Sequence, residues 1–250
     1  MKSFRSITAN CGKDRAFTII ELLVIAAVIA LLIVIRIPAM ARATNQNKRA
    51  QCSSNLRQFT LAMHIYANEN EDRLPAYIGY WAWDVSLETG TFVESTGSKW
   101  TVMYCPGTAP GFSEQDNSYL YNYGGYRVLG YANTFPGNTS LLTSDINPTL
   151  TPRSILLAFG VKVVPAASQR VLLADASVSQ PGQNISSVRY TYSYTSIQSG
   201  YPKQHFSSHL TGPYPAGGNV GMADGHVEWR KFDDMSPRSD AFSTSPVFWW

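Results

Sequence analysis

Charge is scarce in this chain. Asp, Glu, Lys and Arg together make up 15% of its 250 residues. There is no internal repeat and no low-complexity tract. Catalytic signatures are missing as well. No G-x-S-x-G string occurs, and no Walker or G-x-G-x-x-G loop, so nothing marks a nucleophile elbow or a phosphate cradle. Ser207, Ser208, His205 and Asp224 supply the types for a hydrolase, but serine is abundant and no diagnostic string surrounds them. The reading is of a chain that is not an enzyme. Cysteine is limited to three residues, one of them Cys11.

What the chain has is one long apolar run. Phe17–Ile35 reads FTIIELLVIAAVIALLIVI, with Thr18 and Glu21 as its only polar members. A helix over this run covers roughly 28 Å, close to a bilayer's hydrocarbon thickness. The expectation is a membrane-spanning helix. Glu21 is the anomaly, because an acid in hydrocarbon costs roughly 2.5–3.5 kcal/mol and implies a partner. A cut just before Phe17 would create an amine able to answer it. Residues 1–16 carry Lys2, Arg5, Lys13 and Arg15 against Asp14 and end in Ala16. That is a basic leader of the kind retained on the cytoplasmic side.

The string Ala16-Phe17-Thr18-Ile19-Ile20-Glu21-Leu22-Leu23-Val24 resembles the processing site of type IV prepilins and type II secretion pseudopilins. The resemblance implies that a prepilin peptidase cuts before Phe17 and methylates it, and that Glu21 guides assembly. Pro38 corresponds to the helix-kinking proline of such subunits. The residue before the cut is usually Gly; here it is Ala16. The implied partners are the chain itself as a helical homopolymer, the peptidase, an inner-membrane assembly platform with its ATPase, and the membrane before assembly. The implied place is the inner membrane as precursor, head outside the cytoplasm, and a periplasmic or cell-surface filament when assembled. Losing residues 1–16 takes Lys+Arg from 20 to 16 and Asp+Glu from 17 to 16. The basic excess thus lies in the leader, and no nucleic-acid partner is expected.

Beyond the run, residues 39–70 contain no Gly or Pro, and the helix is expected to continue past a bend at Pro38. Cys52, Leu56, Phe59, Met63 and Tyr66 fall at spacings of 4, 3, 4 and 3. They form one helix face that should lie on a sheet. The expected class is α+β: a long N-terminal stem, membrane-spanning in its first half, on an antiparallel β-sheet head, pilin-like. Its divisions are leader 1–16, core helix 17–38, amphipathic continuation 39–75 and head 76–250. Expected strands include 100–104, 118–123, 170–174, 188–195, 219–223 and 226–232. Asp224-Gly225 signals a type I′ hairpin. In 188–195, alternation puts Tyr190, Tyr192 and Tyr194 on one face. The segments 130–152 and 177–187 read as loops.

Three further sites stay open in the residues. Cys52 and Cys105 are either one disulfide from stem to head or two buried thiols. Asp224, Asp233 and Asp234 are either ligands for a structural calcium, as several pseudopilins use, or ordinary turn acids. No other cofactor is expected. His205 and His209 have one zinc-like spacing, but Pro202 and the Gly/Pro-rich 211–218 oppose a helix there. The long-headed pseudopilin-like group also carries Cys52-Ser-Ser-Asn-Leu-Arg-Gln-Phe and Cys105-Pro106 strings like these. Its members often have a His nine residues before Asp-Gly. Here no histidine stands at that position, and the nearest upstream histidine is His209. The apolar C-terminus, Val247-Phe-Trp-Trp, packs either on its own head or on a neighbour.

Overall fold

A computed structural model describes residues 17–108, 111–138, 141, 145–152, 155–156, 162–163, 165–198, 201–238 and 245–250. The side chains of residues 34–39, 41, 155–156 and 162–163 lie outside that description. The chain falls into two compact units, residues 1–44 and a body of residues 45–250.

Helix α1, Ile19–Glu69, is 51 residues long. It starts at a capping box. Thr18 Oγ accepts from the Glu21 N–H at 3.3 Å, and the Glu21 carboxylate accepts from the Thr18 N–H at 2.9 Å. This satisfies two donors that helix geometry leaves orphaned. Every described side chain from Phe17 to Ile33 is exposed. The helix is continuous through Pro38, whose side chain lies outside the description.

The expected membrane-spanning stem is corrected here. Among the described residues no helix is long and apolar enough to cross a membrane. The described side chains of the apolar run end at Ile33, short of the about 20 a span needs. From Asn45 onward α1 carries a polar face. The single-sheet head is corrected too, since the body holds several small antiparallel sheets.

Within the body, α1 shows the spacing-predicted face. Cys52, Leu56, Phe59 and Met63 are fully buried, and Tyr66 is half-buried with its ring edge-on to Phe92. The four buried residues pack with Tyr131, Leu172 and Leu173 in one apolar core. The central sheet runs Val227–Lys231, Gly217–Met222, Val171–Asp175, Tyr131–Asn133. All its pairings are antiparallel. A Cβ on Gly221 would lie 2.7 Å from Thr60 Oγ, so glycine is what permits the close approach of helix to sheet.

The Asp224-Gly225 hairpin forms, with a different turn. Only Gly225 has a positive φ, +93°, whereas type I′ needs two such residues. The Gly225 N–H bonds the Met222 carbonyl at 2.9 Å and the Met222 N–H bonds the His226 carbonyl at 2.9 Å. That is a three-residue loop closed by a glycine bulge.

Three expected strands are helical. Residues Trp100–Met103 form a 3-10 turn. Residues 114–121 form α2, Glu114–Tyr121, because Ser113 and Asp116 make a second capping box. The tyrosine alternation of 188–195 is a 3-10 helix over Ser186–Thr191. There Arg189 Nε bonds the Ser186 carbonyl at 2.9 Å, so a local contact replaces a ladder. Two expected loops contain strands, Tyr131–Asn133 and Ser177–Ser179. The second pairs with Val247–Trp249. The C-terminus therefore packs on its own body, with Trp249 and Trp250 buried.

Candidate functional site

The densest chemistry in the body sits between α1 and the central sheet. Four residues far apart in sequence meet there. Cys52 comes from the buried stripe of α1. Cys105 follows the Trp100–Met103 turn, Asp175 ends the sheet strand Val171–Asp175, and His209 belongs to the segment leading into the hairpin sheet. Their ligand atoms all lie within 4.8 Å of one another. Cys52 Sγ donates to Asp175 Oδ1 at 2.9 Å and lies 3.6 Å from the Tyr131 hydroxyl. Cys105 Sγ lies 3.2 Å from His209 Nε2, which lies 3.3 Å from Asp175 Oδ2. The Asn219 N–H donates to Asp175 Oδ2 at 2.6 Å, and the Gly107 N–H donates to Cys105 Sγ at 3.2 Å.

All four are buried, with His209 the most exposed at 8%. Burial alone would depress the His209 pKa, but the Asp175 carboxylate and Cys52 beside it raise it to about 9. Burial pushes the Cys105 thiol well above its ordinary range. Burial would also raise the Asp175 carboxyl, yet His209, Cys52 and the Asn219 N–H hold it below the usual value. His209 adopts φ +51°, a left-handed conformation costing about 1–2 kcal/mol for a residue with a side chain. Such outliers gather where a side chain must be aimed. A Cβ on Gly107 would lie 2.7 Å from the imidazole, so this glycine gives the ring its place.

Cysteine, histidine and aspartate suggest a nucleophilic triad, but the geometry opposes it. A triad needs the nucleophile on one imidazole nitrogen and the acid on the other. Here the sulfur and the carboxylate both approach Nε2. The sulfur is 1% exposed, so no substrate carbonyl reaches it.

The sequence-predicted sites fare differently. Cys52 and Cys105 are free buried thiols, the second of the two alternatives, and they share a polar cluster. The calcium trio does not assemble. Asp224 Oδ1 bonds His226 Nδ1 at 2.6 Å at the hairpin turn. Asp233 and Asp234 lie beyond the far end of the five-residue strand Val227–Lys231, about 16 Å along it. Among the described residues, Cys52, Cys105, Asp175 and His209 are the one group able to surround a metal. Ser207 Oγ donates to the Val178 carbonyl at 2.6 Å. His205 is stacked on Trp83 and Phe112 at 4.7 and 4.6 Å, and burial pushes its pKa down to about 4. The hydrolase residue types are thus in separate structural roles. Ala16 lies outside the described residues. Phe17 is 73% exposed, and the Glu21 carboxylate accepts from the N–H and hydroxyl of Thr18.

Asp175 escaped the sequence reading because an acid ending an apolar strand has no distinctive spacing. The sequence pairs His209 with His205 by spacing, whereas its partners in the fold are Cys52, Cys105 and Asp175, none of them local. The signal that was present was the pair of isolated cysteines.

No family model, no curated protein and no solved structure matches the chain. The pilin and secretion membership implied by the N-terminal string is corrected accordingly: no family evidence accompanies it, and no membrane-crossing helix does so among the described residues.

Proposed function

We propose that the chain is a structural subunit of a pilus-like or pseudopilus-like filament, cut before Phe17 and assembled through the first part of α1. The carrying observation is the exposed apolar surface of residues 17–33, with Phe17, Ile19, Ile20, Leu22 and Leu23 each more than 60% exposed. A helix apolar on all sides is a buried helix. An apolar surface of this size needs a cover, and identical helices of other copies supply one by close packing. Glu21 lies in that surface. Its carboxylate is held at the helix start by Thr18, where helix geometry also favours a negative charge.

The test is assembly of the full chain, read by sedimentation and electron microscopy, with mass spectrometry of the N-terminal peptide. Sedimentable filaments and a methylated Phe17 terminus are expected. Glu21→Gln keeps an oxygen for the capping box and removes the charge. Filament yield should fall in this variant as in Glu21→Ala. Undiminished yield in both refutes the role of the acid. An intact Met1 on protein that never polymerises refutes the filament reading as a whole.

A further inference from the structure

We propose that Cys52, Cys105, Asp175 and His209 bind one zinc ion as a closed, four-coordinate structural centre. The inference does not rest on the filament reading.

The geometry comes first. Zinc bonds of about 2.3 Å to sulfur and about 2.0–2.2 Å to nitrogen or oxygen place tetrahedral ligand atoms roughly 3.3–3.8 Å apart. Three of the six edges here measure 3.2, 3.3 and 2.9 Å, and no edge exceeds 4.8 Å. Opening the short edges and closing the longest by up to about 1 Å brings the set to ligand distances. The proton count favours an ion too. One imidazole nitrogen faces a sulfur and a carboxylate oxygen together, and a single N–H cannot align with both. A cation at the centre accepts the lone pairs of all four.

The surroundings fit a second shell. Two thiolates, a carboxylate and a neutral imidazole leave a zinc centre with one net negative charge. Donors already point at the anionic atoms. The Gly107 N–H reaches Cys105 Sγ, the Asn219 N–H reaches Asp175, and the Tyr131 hydroxyl stands by Cys52 Sγ. Such contacts fix ligand orientation and offset the charge. Two sulfurs select zinc over calcium or magnesium. Four protein ligands leave no open position, which is the mark of a structural site. A cleft of about 550 Å³, whose walls include Lys48, Arg49, Gly107 and His209, leads from the surface to the imidazole. It supplies the entry path a preformed site needs. Binding displaces the two thiol protons and the proton on the coordinating His209 nitrogen to water.

Once bound, the ion would tie α1, the Cys105 segment, the central strand and the His209 segment at one point. The decisive experiment is the metal content of the full chain, purified with zinc in the growth medium, together with cobalt substitution. About one zinc per chain is expected. The wild-type protein reconstituted with Co²⁺ should show thiolate-to-cobalt charge transfer and the intense visible bands of tetrahedral coordination. Chelation should lower Tm. Cys105→Ser should lose charge-transfer intensity. Asp175→Asn, which keeps both sulfurs, should lose metal affinity while retaining the charge-transfer band at saturating Co²⁺. The wild-type spectrum decides the matter even if a variant fails to fold. A reduced wild-type protein that takes up neither ion overturns the proposal. So does a chain isolated with Cys52 and Cys105 joined as a disulfide.

Discussion

Single side chains in the body carry titratable behaviour that their sequence neighbours do not announce. Asp84 is buried beside Gly79, and its Oδ2 accepts from the Tyr80 and Trp81 N–H groups at 2.7 and 2.9 Å. Its Oδ1 is buried without a partner. Burial, only partly offset by the two N–H donors, pushes its pKa up to about 7. A carboxyl whose folded pKa is raised contributes stability fully below its unfolded value, near 3.8. That contribution is lost as pH rises toward 7. The loss is on the order of 4 kcal/mol once complete. Asp84→Asn is a neutral analogue. Its stability relative to wild type should therefore climb between pH 4 and pH 7 and then level off, as read by urea midpoints across that range. A flat difference would place the penalty elsewhere. His205 has the opposite sign. Its pKa is depressed to about 4, so its stabilising contribution is complete above pH 6.5 and is lost as pH falls toward 4. His205→Phe should lessen acid sensitivity in that window, measured the same way. None of this was legible in the sequence. The stripe spacing marked Cys52 as a core residue, but the setting of Asp84 depends on a bend at Gly79 that turns the Tyr80 and Trp81 N–H groups onto its carboxylate.

Among the elements, the helix was the most legible. Its period of 3.6 is written in Cys52, Leu56, Phe59 and Met63, and the Gly/Pro-free stretch set its length. The strands were less so, because most are two or three residues long and such runs hold too little alternation to register. Local hydrogen bonding then decides. Ser113 and Asp116 turn a tyrosine-rich run into α2, and Arg189 holds the run Ser186–Thr191 as a 3-10 helix. Glycine in the strand Gly217–Met222 weakens its intrinsic preference yet sets the helix-to-sheet distance. Gly221→Ala brings a methyl to 2.7 Å from Thr60 Oγ, on a β-branched side chain with little rotamer freedom. Destabilisation of about 1–3 kcal/mol is expected. Adding Thr60→Ala removes the opposing hydroxyl, which is buried and has no hydrogen-bond partner, and should restore much of the loss. A double-mutant cycle in chemical denaturation measures the coupling, and simple additivity would rule out the contact as the cause.

At the scale of the molecule, the sequence reading divides the chain after residues 16, 38 and 75, whereas the compact units are residues 1–44 and 45–250. Which distant segments meet was not legible, since Cys52, Cys105, Asp175 and His209 are joined only by tertiary pairing. Expressed alone, residues 45–250 should be monomeric at concentrations where the full chain self-associates, because the exposed apolar residues 17–33 are then missing. Analytical ultracentrifugation compares the two, and equal self-association would assign the contact to the body instead. The pairing pattern also bears on kinetics. The central strand binds one segment about forty residues before it and another about forty-five after it, through Ala132↔Ala174 and Val220↔Ala174. Such ladders close late, on millisecond to second timescales. At roughly 5–20 residues per second, ribosomes deliver Lys231 about 10–40 s after Ile33. The greasy segment is thus born well before the sheet exists, and throughout that interval its escort must come from outside the polypeptide.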